Sequence, residues 1–212
     1  SFAASGGDTA VVRMVLEAGA NLYYRGASGV TLLHFAVTRG LNALADTLLA
    51  HGEDVNARTQ LGETPLIWAV VRNQLPMAEK LLAHGARPGL GNVHGETPLH
   101  LAAARGNLDV GRLLLAWGAD PRTGTGRGWD PTPLHYTCFG GGFGRQAVQH
   151  QAEFARLLLA HGADPNNHTG GDYAINMAAN NGLADVVAAL LEHGAQTEVP
   201  EDQFACTPLH IA

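Results

Sequence analysis

The sequence predicts an all-α solenoid: stacked helix–turn–helix units joined by extended, hairpin-like fingers. Two interleaved repeats along the 212 residues predict this fold class. A glycine after a leucine-rich stretch recurs at steps of 33, 33, 33, 44 and 32 residues, at Gly19, Gly52, Gly85, Gly118, Gly162 and Gly194. A tetrapeptide like Thr-Pro-Leu-His recurs at steps of 33, 33, 35, 41 and 34 residues, starting at Thr31, Thr64, Thr97, Thr132, Tyr173 and Thr207. A constant period near 33 residues is typical of a repeat protein.

Each unit contains the signals of two short helices. In the third unit Thr97 is a good N-cap, and Pro98 suits the first helical position, where a missing N–H costs nothing. Gly106 ends this first helix, and Gly118 ends a second, amphipathic one. Residues rich in Gly, Asn, Asp and Pro then form a finger loop. Two helices this short cannot bury their own apolar faces, so each unit must stack on its neighbours.

The repeated motifs resemble those of a known protein family. Residues 95–106 (GETPLHLAAARG) and 113–120 (LLLAWGAD) resemble ankyrin repeats, as do residues 157–166 and 190–195. The resemblance covers essentially the whole chain and implies a single ankyrin-repeat domain over 1–212. The expected complete repeats are 27–59, 60–92, 93–127, 128–168 and 169–202, with partial repeats at 1–26 and 203–212. Because both ends fall inside a repeat, we expect the chain to belong to a longer array or multidomain protein.

Composition argues against several classes of partner. The net charge is −6, and the thirteen basic residues include only one lysine, Lys80, without a Lys/Arg run. We therefore expect no binding to nucleic acid or to an anionic membrane. No apolar run is long enough for a membrane helix, and no signal peptide is visible. The two cysteines, Cys138 and Cys206, form no CxxC motif, which favours a cytoplasmic or other intracellular location.

The eleven histidines do not predict a metal site. The resemblance implies that the tetrapeptide histidines bond locally and stiffen the junction between units; these are His34, His100, His135 and His210. Four more precede the helix-ending glycines, where a cation would oppose the helix dipole: His51, His84, His161 and His193. Phosphate-loop, HExxH and GxSxG motifs are absent. Cys138 occupies a repeat position that suits a small buried residue. We therefore expect no metal, no cofactor and no catalysis.

The resemblance places partner contacts on the fingers and on the concave face of the first helices. In that register Arg39, Arg72 and Arg105 form a ladder, one per repeat, with identical surroundings. Two interpretations stay open. Glu63 and Glu96 could neutralise Arg72 and Arg105 as solvated pairs, or the ladder could face an acidic partner.

Departures from the repeat pattern supply further contact candidates, because insertions in repeat proteins map to surface loops. The finger after Gly118 is two residues longer and carries Arg122, Arg127 and Trp129. A nine-residue insertion at roughly 140–149 carries Phe143 and follows Phe139. Trp129 either anchors a partner or folds back over its own loop. The remaining candidates are Tyr23, Tyr24 and Arg25 on the first finger, and Trp117, which replaces a histidine. Phe35 and Trp68 are expected to be core or groove lining.

The sequence thus predicts a non-catalytic module that binds another protein through its finger loops and concave helix face. The alternative is a targeting or autoinhibitory segment of a larger enzyme or effector whose catalytic domain lies outside this chain. A small-ligand site in the insertion is a further, weaker alternative.

Overall fold

The computed structural model describes residues 25–26, 28–126, 128–139, 145–169 and 172–197. The chain divides into two compact units, an N-terminal unit, Ser1–Val93, and a C-terminal unit, His94–Ala212. The division falls one residue from the predicted boundary between the second and third complete repeats. Both units are built from helix–turn–helix repeats, so the predicted fold class is confirmed. The assignment of one domain to residues 1–212 stays a prediction.

The N-terminal unit alternates first and second helices of its repeats. These are α1 (Leu32–Arg39), α2 (Asn42–Ala50), α3 (Pro65–Val71) and α4 (Leu75–Ala83). Each first helix packs on the second helix of its own repeat, and α1 also packs on α3 of the next repeat. The predicted stacking of neighbouring repeats is therefore present in this unit.

Local sequence sets the ends of the first helices. Thr31 and Thr64 are extended N-caps whose hydroxyls accept backbone N–H groups from inside the helix. Gly40 follows α1 with a φ of +66°, and Asn73 lies at the same place after α3 with a φ of +52°. Glycine and asparagine tolerate this left-handed conformation, which stops the helix.

The C-terminal unit contains three further repeats among its described residues. Its elements are α5 (Pro98–Arg105), α6 (Leu108–Ala116), α7 (Pro133–Tyr136), α8 (Arg145–Ala160), β1 (His168–Thr169), β2 (Asp172–Tyr173), α9 (Ala174–Asn180) and α10 (Ala184–Glu192). Strands β1 and β2 pair antiparallel, with His168 opposite Tyr173. This short hairpin forms part of a finger, as the hairpin-like description predicted.

The insertion near residue 140 differs from its predicted form. Helix α8 has 16 residues, whereas α6 and the other second helices have nine. Helix α6 begins ten residues before the glycine that ends it, whereas α8 begins at Arg145, seventeen residues before Gly162. Helix α8 therefore has seven additional residues at its N-terminal end. The expected loop over 140–149 is therefore wrong for 145–149, which are helical. The physical reason is that residues 145–149 (RQAVQ) contain no Gly or Pro and consist mostly of good helix formers.

Two sets of leucines form the buried layers of both units. The tetrapeptide leucines Leu33, Leu66, Leu99 and Leu134 are fully buried. The second helices bury a leucine four positions before each terminal glycine: Leu48, Leu81, Leu114, Leu158 and Leu190. The buried positions thus follow the repeat period, which leaves the opposite face of each first helix open.

Asparagine side chains link successive fingers. The Nδ2 group of Asn56 donates to the Gly85 carbonyl oxygen at 3.1 Å, and its Oδ1 accepts from the Arg87 amide at 2.9 Å. Asn166 accepts in the same way from the Gln196 amide at 2.8 Å. One side chain therefore satisfies two backbone groups of the next finger.

Candidate functional site

A tetrapeptide histidine ties one repeat to the next. The Nδ1 atom of His34 accepts from the Thr31 amide at 3.3 Å, and Nε2 lies 3.1 Å from the Glu63 carbonyl oxygen in the following repeat. In His100 the Nε2 atom lies 3.0 Å from the Pro131 carbonyl oxygen. Because Nδ1 accepts, Nε2 carries the proton and donates across the junction. The local hydrogen bonding that the resemblance implied is present at these two junctions, and the stiffening role stays a prediction.

Burial keeps these histidine rings neutral. Desolvation lowers the pKa of His34, and it lowers the pKa of His100 to about 4. The helix-end histidines use Nδ1 to bond the carbonyl oxygen four residues earlier, at 2.8–2.9 Å in His51, His84, His161 and His193. Among the residues that the structure describes, no three His, Cys, Asp or Glu side chains are grouped as metal ligands would be.

Cys138 has the buried position that its register predicted. The side chain is fully buried, and desolvation raises the pKa of its thiol to about 12. A thiol in this state is a poor nucleophile, because the thiolate is the reactive form. Cys206 and His210 lie outside the described residues.

The first helices of the N-terminal unit carry two arginine–aromatic pairs on their open face. The guanidinium carbon of Arg39 lies 5.6 Å from the centre of the Phe35 ring, and that of Arg72 lies 5.5 Å from Trp68. The arginine of each pair follows its aromatic residue by four positions, which is the spacing that brings two side chains together on one face of a helix. Both arginines are exposed, Phe35 is 42% exposed, and Trp68 is half-buried. We refer to these four residues as the aromatic–arginine row.

The two rings therefore line an accessible surface instead of the core. Sequence reasoning left both possibilities open for Phe35 and Trp68, and it did not connect either ring with an arginine. The spacing of an aromatic residue and an arginine at positions i and i+4 of one helix was the signal that could have found these pairs.

Glu63 does not pair with Arg72. Its Oε2 atom accepts a hydrogen bond from the Trp68 indole N–H at 2.9 Å, while the Arg72 guanidinium lies over the indole ring. The expected solvated Glu63–Arg72 pair is therefore wrong. Glu63 lies two residues before α3 and Arg72 follows its last residue, so at about 1.5 Å per residue their backbones are about 13 Å or more apart along the helix axis. The indole between them offers a donor to one and a ring face to the other.

Arg105 has different surroundings from Arg39 and Arg72. It ends α5 in the C-terminal unit and is partly buried, and the residue four positions earlier is Leu101. Leucine has no π face to hold a guanidinium, so the expectation of identical surroundings along the ladder is wrong. The aromatic–arginine row is accordingly limited to the N-terminal unit.

A second group of aromatic side chains lies in the C-terminal unit. The Phe139 ring meets Tyr136 edge-on at 5.3 Å between ring centres, and it meets Trp129 edge-on at 5.6 Å. The Tyr136 hydroxyl donates to Glu96 at 2.8 Å, and burial with this carboxylate raises the pKa of the phenol. Trp129 is 43% exposed and Phe139 38% exposed. Trp129 thus packs on Phe139, beyond its own finger, and still presents surface; its role as a partner anchor stays a prediction. We refer to Tyr136, Phe139 and Trp129 as the aromatic cluster.

The other predicted contact residues are scattered. Trp117 follows α6 and is 48% exposed. Arg25 lies 3.7 Å from the Asp54 carboxylate, and Arg122 bonds Asp120 in its own finger at 3.1 Å. The candidates Tyr23, Tyr24, Arg127 and Phe143 lie outside the described residues.

Comparisons with known proteins identify the repeat. A family model described as ankyrin repeats in three copies matches residues 33–125 and 145–212. The crystal structure of the human ASB11 ankyrin repeat domain superimposes with a TM-score of 0.80 at 27% sequence identity, covering 99% of this chain and 89% of that one. A search of curated proteins finds no match. In the part of the chain that the structure describes, no helix combines the length and apolar character needed to cross a membrane. Since the family model covers more than half of the sequence, the chain belongs to the ankyrin-repeat family.

Proposed function

We propose that this chain is a non-catalytic module that recognises a partner protein through exposed side chains of its first helices and fingers. Ankyrin repeats are generally protein–protein interaction modules, and stacked repeats create the extended surfaces on which such contacts form. The observation that carries the proposal is the aromatic–arginine row. Two consecutive repeats hold an exposed arginine over an aromatic ring, and Arg and Trp are enriched among residues that dominate binding energy.

The two cation–π contacts of the row contribute little to folding, which supports a role of the arginines in binding. Helix α3 buries Leu66, Ile67 and Val70, whereas Trp68 lies on the open face of the same helix. A cation–π contact at an exposed site stabilises by only about 0.5–1 kcal/mol. Side chains already held in place by such contacts lose less conformational entropy when a partner binds.

The remaining candidates are proposed with different weights. The aromatic cluster and Trp117 present exposed rings and are proposed as further contact residues. Arg25 and Arg122 are weaker candidates, because each already has an aspartate partner. Arg105 is proposed only as an edge contact, since it is partly buried.

The proposal is tested by affinity capture with the purified 212-residue chain. We expect one captured protein to lose binding when Arg39, Arg72 or Trp129 is replaced by Ala. With that protein purified, calorimetry should give binding weaker by about 1–3 kcal/mol for each variant. The melting curves should correspond to stability changes within about 1 kcal/mol of the parent for the two arginine variants and about 1.5 kcal/mol for Trp129→Ala.

Arg112→Gln is the matched control. Arg112 is an exposed arginine on the second helix α6, outside the proposed surface. The Arg112→Gln substitution removes the same charge as the arginine variants and should leave capture of the partner protein unchanged. Equal loss of binding in this control, or unfolding of the Ala variants, would count against the proposed surface.

A further inference from the structure

We infer that the aromatic–arginine row binds an acidic segment of the partner, which presents two carboxylates to Arg39 and Arg72. This inference rests on the proposed function and names the chemistry of the partner. It follows from the charge distribution of the N-terminal unit and from how the two guanidinium groups are held.

Arg39 and Arg72 are held by aromatic rings, and no carboxylate of the described residues lies within ion-pair distance of either. Two other cations of this unit pair with aspartates: Arg25 with Asp54 at 3.7 Å, and Lys80 with Asp46 at 2.7 Å. Among the described residues, Arg39 and Arg72 contact ring faces and no carboxylate. Glu63, the acidic residue that the register placed opposite Arg72, bonds the Trp68 indole instead. Their charge is therefore available to an incoming anion.

The ring contacts prepare each guanidinium for a carboxylate. A ring can occupy a face of the guanidinium plane, whereas the N–H donors point outward along its edges. Those edges match the two oxygens of a carboxylate, which can accept two parallel hydrogen bonds. Phe35 and Trp68 also offer apolar surface to the methylene groups of an acidic side chain. The pairs thus combine charge, planar donors and apolar contact.

The spacing of the two pairs suggests the form of the segment. Helices α1 and α3 pack directly, so their axes lie about 8–10 Å apart. A chain in the extended polyproline II conformation has three residues per turn and advances about 3.1 Å per residue, so acidic residues three positions apart lie on one side and span about 9 Å. We therefore expect a short extended segment with two such Asp or Glu residues.

A polyanion such as nucleic acid fits this surface less well. The row supplies two cations, the Glu63 carboxylate lies against the same indole as Arg72, and the chain carries a net charge of −6. Binding to a phosphate backbone gains affinity from many simultaneous cationic contacts. Two fixed carboxylates need only the two arginines that are present.

The test is a selection of displayed random 12-residue peptides on the full 212-residue chain. We expect recovered peptides to carry two acidic residues about three positions apart. Synthetic copies should bind in fluorescence anisotropy, with an affinity that falls as NaCl is raised from 50 to 500 mM. Arg39→Gln and Arg72→Gln should each weaken binding at least about fivefold, while Arg112→Gln should stay within about twofold. Replacing both peptide acids with amides should abolish binding.

The outcomes separate this inference from the proposed function. Peptides without an acidic pair that still lose binding when Trp68 is replaced by Ala in a folded chain would overturn the acidic partner and leave the protein-binding role intact. Recovery of no peptide, or of peptides insensitive to every variant of the row, would overturn both. Single-stranded DNA that binds as tightly as the peptides and depends on Arg39 and Arg72 would overturn the carboxylate assignment.

Discussion

His100 couples the stability of the C-terminal unit to pH through a single side chain. The ring is fully buried, its pKa is lowered to about 4, and its Nε2 donates across a repeat junction. In an unfolded chain the same ring has a pKa of about 6.5. The unfolded state therefore takes up a proton first as the pH falls, which favours unfolding.

This residue gives a signed pH prediction. His100 should contribute full stability above about pH 6.5 and lose about 1.4 kcal/mol per pH unit between pH 6.5 and 4. In urea unfolding, the stability lost between pH 7.5 and 5.0 should be about 2 kcal/mol smaller in His100→Gln than in the parent, since His34 titrates in both chains. The variant will be less stable at both values, so only the difference between the two pH values tests the idea. An unchanged difference in the variant would contradict it.

At the same scale, the aromatic–arginine row shows the limit of what the sequence reveals. The register correctly put Arg39 and Arg72 at equivalent positions of successive repeats, and it correctly left Phe35 and Trp68 as possible groove lining. It did not reveal that Arg72 contacts a ring instead of Glu63. That outcome depends on the rotamers of three exposed or half-buried side chains, which no repeat period constrains.

At the scale of secondary-structure elements, helices α6 and α8 pack closely because a glycine of α6 faces an aromatic ring of α8. Gly111 on α6 faces Phe154 of α8, and a Cβ atom placed at Gly111 would lie 2.5 Å from the Phe154 ring. Phe154 is fully buried, so its ring has little room to move away. Although glycine has a low helix propensity, it is needed here because a larger residue would not fit between the two helices.

Gly111→Ala should therefore destabilise the chain although alanine is the better helix former. We expect the free energy of unfolding to fall by up to about 2 kcal/mol, since overpacking costs about 1–3 kcal/mol and helix propensity returns about 1. Chemical denaturation measures the change. Adding Phe154→Leu should recover part of the loss in the double variant. A more stable Gly111→Ala chain would show that the two helices are not in close contact.

Helix α8 marks where element prediction failed. The sequence showed an insertion from the changed spacing between registers, and the position of the change was right. Its conformation was not, because a loop was expected wherever the repeat pattern was interrupted. Residues 145–149 lack Gly and Pro and extend the second helix, which is a local preference that the repeat alignment concealed.

At the scale of the whole molecule, folding depends on contacts between repeats. Leu114 of α6 is fully buried, and α6 packs on α5 of its own repeat and on α8 of the next. Leu114→Ala should cost about 2–5 kcal/mol in unfolding free energy through a core cavity. Leu191→Ala, at a leucine that is 45% exposed on α10, should cost less than about 1 kcal/mol. Similar melting temperatures for the two variants would mean that the assigned core is wrong.

The sequence by itself determined the period, the helix ends other than the start of α8, the tetrapeptide junctions and the buried leucines. These features depend on capping, on backbone conformation and on burial that recurs at fixed spacing, so they can be read one repeat at a time. Only the tertiary structure decided that Arg39 and Arg72 lie over rings and that Trp129, Phe139 and Tyr136 meet. Those contacts join side chains on open faces, where neither the period nor burial restricts orientation, and their geometry appears only once the backbone is folded.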